Sequence, residues 1–156
     1  MSRPATDTRI RAWRGLLQTH ARITDAMEHA LQADHQLPVA WYQVLVELRL
    51  AGGAMRMHHL AEAATLSRSA TTRLVDSIER AGLVERRICP SDRRGIEVVL
   101  TDGGRQIQRR AAPTAIRVLH RHLWSRLDDE QAATLAEILE SAADNDAMPP
   151  QESTGA

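Results

Sequence analysis

A helix over about 67–81 that stops at a glycine, a short helix joined to it by about three residues, and an alternating hairpin beyond predict the fold class. That class is mainly α with a small β-hairpin wing: a winged helix-turn-helix with terminal dimerisation helices. Residues 66–101, LSRSATTRLVDSIERAGLVERRICPSDRRGIEVVLT, carry most of the pattern.

Arg9 to Ala33 is expected to be helical after a disordered start over 1–7. Trp13, Leu16, His20, Ile23, Met27 and Ala30 recur every three or four residues along it. Pro38 suits the first turn of a second helix, which runs to about Leu50 with Trp41, Val44, Leu45 and Leu48 on its apolar face. Gly52-Gly53 breaks it. A short helix from His58 to Ala64 would bury Leu60, Ala61 and Ala64. Ser67 is the expected N-cap of the next helix, because its hydroxyl can accept from a free amide of the first turn. Ala70, Leu74, Val75 and Ile78 form the buried face of that helix; Arg68, Ser69, Thr72, Arg73 and Asp76 lie on the other. Gly82 fits the left-handed position after the last turn. Leu83 to Ile88 alternates, and Ile96, Val98 and Leu100 alternate on the return strand. The turn CPSDRRG between them is rich in turn formers.

Beyond Thr101, a long helix is expected from about Arg105 to Leu127, kinked at Pro113. Its apolar stripe is Ile107, Ala111, Ala115, Leu119, Leu123 and Leu127. Asp128 with Gln131 has the spacing of a capping box and opens a last helix to about Ala143, with Leu135, Ile138 and Leu139 as its apolar side. Residues 146–156 read as a disordered tail. A winged helix needs only the middle of the chain. The stripes of the terminal helices are therefore expected to pack against a second copy, most simply in a two-fold homodimer.

Net charge is zero, yet its distribution is uneven. All 20 basic residues are Arg, whose planar donor fork suits phosphates and base edges. Residues 67–94 hold seven Arg against four acids, whereas residues 127–156 hold eight acids and no Arg. Such an asymmetry would orient the protein on a polyanion. A lone Cys89 excludes an internal disulfide and suits a reducing compartment; no apolar run approaches a membrane span, so no membrane partner and a cytoplasmic location are expected.

Leu66-Ser67-Arg68-Ser69, Arg73-Leu74-Val75, Gly82-Leu83-Val84 and Asp92-Arg93-Arg94 followed by Val98-Val99-Leu100-Thr101 resemble the MarR family of bacterial transcription regulators. The resemblance extends from about Arg9 to about Ala143, and the wing motif is its most specific part. It implies an obligate homodimer that binds a pseudo-palindromic double-stranded operator and is released by a small aromatic or phenolic effector. On that reading the domains are a first dimerisation helix (9–36), a DNA-binding lobe (37–102), C-terminal dimerisation helices (103–145) and the tail.

The resemblance and the pattern together nominate Arg68, Ser69, Thr72 and Arg73 for the major groove, where residues of the first turns read bases and Arg is the usual partner of guanine, with the N-cap Ser67 counted among the DNA-binding residues. Asp92, Arg93 and Arg94 are nominated at the wing: by resemblance Asp92 would pair with an Arg and fix the tip, Arg93 is expected to contact phosphate, and Arg94 to enter the minor groove, whose negative potential attracts a guanidinium. By resemblance the first helix lines the effector pocket, and Trp13, His20, Trp41 and His59 are the candidate lining. His58-His59 and His120-x-His122 lack the spacing that puts two imidazoles on one helical face, so no metal and no cofactor are expected. Arg86 and Arg87 beside Cys89 in sequence would favour its thiolate. No catalytic motif is present, and no enzyme is expected. A metal- or redox-responsive regulator and an effector-independent architectural DNA-binding protein remain as alternatives.

Overall fold

The computed structural model describes residues 3–89 and 92–143, with side chains from residue 7 onward except those of 92–94. The order is α1 (Arg3–His35), α2 (Val39–Leu50), β1 (Ala54–Arg56), α3 (Met57–Ala63), α4 (Arg68–Arg80), β2 (Val84–Cys89), β3 (Asp92–Leu100), α5 (Asp102–His122), a 3-10 turn (Trp124–Arg126) and α6 (Asp129–Ala143). This is the mainly helical winged helix-turn-helix with a small antiparallel sheet. The tail over 146–156 and the Pro90-Ser91 tip lie outside the described residues.

Helix α1 begins earlier than the sequence predicts, since residues 3–7 are helical. Pro4 does not oppose this, because a first-turn proline lacks an N–H that would have no partner there anyway. Helix α2 has no side-chain cap of its own. Glu28 of α1 supplies one, accepting the Val39 N–H at 2.7 Å. In α4, Ser67 is the N-cap and its hydroxyl accepts from the Ala70 N–H at 3.2 Å. The helix ends as expected: Gly82 has φ +73°, and the Leu83 N–H reaches back to the Ile78 carbonyl over 3.2 Å.

The sheet differs from the expected two-stranded hairpin. It has three strands in the order β1-β3-β2, with Ala54 opposite Val99 and Val84 opposite Leu100. The hairpin strands also run further than predicted. They reach Cys89 and resume at Asp92, with a register shift between Ile88 and Cys89. Val98 and Leu100 are buried as their alternation requires. Ile88 and Ile96 face each other across the strands and stay exposed, because the wing projects beyond the helical body.

One core joins the elements. Leu31 of α1, Val44, Leu45 and Leu48 of α2, Leu60 of α3, Val75 and Ile78 of α4, Val84, Val98 and Leu100 of the sheet, and Ala111 and Ala115 of α5 are buried together. The C-terminal half of α1 therefore packs on α2 and α5 of its own chain, a correction to the expectation that the terminal helices lack intrachain partners. Uncovered apolar residues remain on the other half of α1 (Ile10, Trp13, Leu16, Leu17) and on α6 (Ile138, Leu139).

Helix α5 starts three residues before its predicted start, with the Thr101 hydroxyl accepting the Gly104 N–H at 3.0 Å. It runs through Pro113 and ends at His122, before the 3-10 turn. Its buried face is not the pure apolar stripe: Gln108 and Thr114 are buried with Ala111, Ala115 and Val118. Each is tolerated because it is hydrogen-bonded, Gln108 by Arg49 at 2.8 Å, and Thr114 by donating to Asp34 at 3.1 Å. At α6 the capping box is present in both directions: the Asp128 N–H donates to Gln131 Oε1 at 3.1 Å, and the Gln131 N–H to Asp128 Oδ1 at 2.8 Å.

Candidate nucleic-acid interface

The first two turns of α4 present Arg68, Ser69, Thr72 and Arg73 to solvent, on the face away from buried Thr71, Val75 and Ile78. This follows from helical periodicity, because the buried stripe at 71, 75 and 78 leaves 68, 69, 72 and 73 outward. Ser67 is partly committed: its hydroxyl caps the helix and sits 3.2 Å from the Ser69 hydroxyl. The Thr72 hydroxyl donates to the Arg68 carbonyl at 2.9 Å, which turns its methyl and remaining lone pairs outward. Among the described residues, Arg68 and Arg73 have no acidic partner, so their donor forks are available to an anionic surface.

The other arginines of the basic stretch are not equivalent. Arg86 is half-buried against Asp76 and Glu79, Arg87 pairs with Glu85, and Arg80 folds back onto the Asp76 carbonyl and the Ser77 hydroxyl. Among the described residues of this stretch, Arg68, Arg73 and Arg80 are the arginines without a carboxylate partner, and of these Arg68 and Arg73 lie on the first two turns of α4. The backbone of Asp92, Arg93 and Arg94 belongs to β3; their side chains lie outside the described residues. Between α4 and the wing opens a cleft of about 670 Å³, bordered by Arg56, His58, Arg68, Thr72, Arg86 and Ile96.

Cys89 is buried. Its thiol donates to Glu97 Oε1 at 3.3 Å, and an Arg56 guanidinium nitrogen lies 3.6 Å from the sulfur. Arg86 and Arg87, its neighbours in sequence, are held by carboxylates instead. Among the described residues no group of three or more His, Cys, Asp or Glu could hold a metal ion. No described helix is long and apolar enough to cross a membrane.

Of the four candidate effector residues, His20 lines a cleft of about 470 Å³, bordered by Thr24 of α1, Gln43 and Glu47 of α2, and Thr65 of the α3–α4 turn. Thr65 holds φ +54°, a sparsely populated conformation for a β-branched residue. Trp13 lies on α1 with 59% of its surface exposed, Trp41 packs half-buried against the core, and His59 meets His58 in a tilted ring contact with centres 4.0 Å apart. The structure thus does not gather Trp13, Trp41 and His59 around the His20 cleft. Gln43, Glu47 and Thr65 were not legible as lining residues, since only the packing of three separate elements brings them together.

Residues 35–95 match the MarR family model. The repressor MprA of Escherichia coli is 36% identical over 72 residues, 46% of this chain and 40% of MprA, so the aligned part spans less than half of that relative. The multiple antibiotic resistance protein MarR of E. coli is 31% identical over 103 residues, 66% of this chain and 71% of MarR. Among solved structures, the MarR family transcriptional regulator Sco3205 of Streptomyces coelicolor, in complex with DNA, superposes with a TM-score of 0.77 at 32% identity, covering 91% of this chain and 89% of that one. CouR of Rhodococcus jostii, bound to p-coumaroyl-CoA, gives 0.76 at 27% identity, covering 83% and 90%. The family-model match, together with this likeness over most of the length of MarR and Sco3205, establishes that the chain belongs to the MarR family of transcriptional regulators.

Proposed function

We propose that the chain is a homodimeric repressor that binds a pseudo-palindromic operator and releases it when a small aromatic or phenolic ligand binds. The observation that carries the DNA reading is the exposed α4 face, where Arg68 and Arg73 have no acidic partner among the described residues. In this reading Arg68, Ser69, Thr72 and Arg73 enter the major groove, Ser67 sets the helix start, Arg93 meets phosphate, and Arg94, steadied by Asp92, enters the minor groove. The Sco3205 complex with DNA supports it.

The uncovered residues Trp13, Leu16 and Leu17 of α1 and Ile138 and Leu139 of α6 would be buried between two copies. A dimer must hold its recognition helices about one DNA turn apart, roughly 34–36 Å, to reach successive major grooves. The His20 cleft lies between α1 and the turn that precedes α4. A ring seated there would act by preferring one spacing of the two lobes over another, with a coupling of about 1–3 kcal/mol. Trp13, Trp41 and His59 would serve by completing this site across the dimer or after a shift of α1. CouR bound to p-coumaroyl-CoA, the thioester of a phenolic acid, supports a ligand that carries a phenolic ring.

The test begins with operators recovered from random duplexes by the purified protein. Arg94→Ala and Arg68→Ala should each weaken gel-shift affinity by about 1–3 kcal/mol at fixed salt while leaving helicity intact. Unchanged affinity in both variants would refute the interface. Aromatic acids and phenols that raise the melting temperature should lower DNA affinity in the wild type and bind less tightly to His20→Ala. Equal binding to that variant would remove the effector site from this cleft.

A further inference from the structure

Arg86 joins the wing to α4 by a directional contact. It stands on β2 opposite Val98, with only 23% of its side chain exposed. One guanidinium nitrogen lies 2.6 Å from Asp76 Oδ1 and donates to the Thr72 carbonyl over 3.3 Å; the other lies 2.5 Å from Glu79 Oε2. The backbone N–H of Arg86 donates to Glu79 Oε1 at 2.8 Å. The Glu79 carboxylate therefore grips the peptide and the side chain of the same strand residue. Residues 72, 76 and 79, spaced by four and three, form one stripe of α4. A planar fork engaging a whole stripe fixes both the roll and the axial position of the helix against the strand.

Apolar packing of Val75 and Ile78 on Val84 also joins these elements, but that force has no direction and tolerates sliding. The charges sharpen the point. One arginine and two carboxylates leave the cluster with a net charge of −1, close behind a face that would meet a polyanion. Attraction to DNA cannot be its purpose, since the surplus acid opposes it. Resting on the DNA-binding reading above, we propose that Asp76, Glu79 and Arg86 are positioning residues that lock α4 and the wing into one rigid reading unit, gaining specificity at the expense of general DNA affinity.

Two accounts of the cluster predict opposite signs. If the carboxylates act only by charge, Glu79→Gln should tighten binding to any DNA. If they position the wing, Glu79→Gln should loosen binding to the selected operator and spare an unrelated duplex. Full-length wild type, Glu79→Gln, Asp76→Asn and Arg86→Lys would be titrated by fluorescence anisotropy at fixed salt against both duplexes. For each variant we expect about tenfold weaker operator binding, a loss typical of coupled contacts. Affinity for the unrelated duplex should be equal or higher. The further loss from Arg94→Ala should be smaller in the Glu79→Gln background than in the wild type. Operator binding as tight as wild type, or an equal loss on both duplexes with helicity kept, would overturn the proposal. Should Glu79→Gln lose its circular dichroism, Asp76→Asn and Arg86→Lys decide by the same criteria. A wild type that selects no operator would instead sink the DNA-binding reading, and the clamp with it.

Discussion

Gly104→Ala should destabilise the protein although it replaces glycine by the best helix former. An ideal Cβ at Gly104 would lie 2.0 Å from the Leu83 carbonyl oxygen and 2.8 Å from Leu100 Cδ1. Ordinary contact begins near 3.4 Å, so α5 and the 83–84 peptide would have to part by about 1.4 Å. Neither side can yield cheaply. The Leu83 carbonyl accepts the Thr101 N–H at 3.2 Å, and the Thr101 hydroxyl donates to the Gly82 carbonyl at 2.7 Å while accepting the Gly104 N–H. Overpacking costs about 1–3 kcal/mol. Loosening one or two of these bonds adds about 0.5–1.5 kcal/mol each. The helix-propensity gain returns only about 1 kcal/mol. The net loss should be about 3 kcal/mol, within a span of about 0.5–5, or roughly 6–12 °C in melting temperature at about 2–4 °C per kcal/mol for a chain of this size. Gly103→Ala is the control. Its Cβ would sit 3.6 Å from the Gly82 carbonyl, an ordinary contact, and the variant should gain about 0.5–1 kcal/mol. Urea and thermal unfolding at one protein concentration would measure both, since the melting of any dimer depends on concentration. A Gly104→Ala protein as stable as its Gly103→Ala counterpart would refute the close-approach reasoning.

Two further outcomes follow from side-chain environments. Tyr42 is the sole tyrosine; burial raises its pKa above the usual 10.0, opposed more weakly by the Arg49 charge and the Gln108 hydrogen bond. The fold favours the neutral phenol, so its contribution to stability is present below pH 10 and is lost as pH rises through the folded value. Tyrosinate absorbance should titrate later in the folded than in the unfolded protein, and Tyr42→Phe should flatten the alkaline fall in stability; an unchanged slope would contradict this. Asp128→Ala removes one half of the α6 capping box and should cost that helix about 1 kcal/mol, read as faster amide exchange over residues 129–132. Exchange as slow as in the wild type would show that the box contributes nothing measurable.

Short-range chemistry made three helix ends legible from sequence alone. Ser67 as N-cap, the left-handed Gly82 and the reciprocal Asp128–Gln131 box act within a few residues, and each is in place. The outward face of α4 was legible for the same reason, because one helical period sorts buried Val75 and Ile78 from exposed Arg68 and Arg73. What tertiary structure alone decided is long-range. Strand β1 has three residues, too few to show a period, and exists only because Ala54 and Met55 find Val99 and Val98 about forty residues away. Gln108 and Thr114 are buried because Arg49 and Asp34 arrive from other helices to bond them. His20 acquires Gln43, Glu47 and Thr65 as neighbours only when α1, α2 and the α3–α4 turn converge. Arg86 looks in sequence like one more basic residue for a polyanion. Its partners on α4 turn it into a clamp, since a charge's role depends on which opposite charges lie within a few ångströms, and chain spacing does not encode that distance.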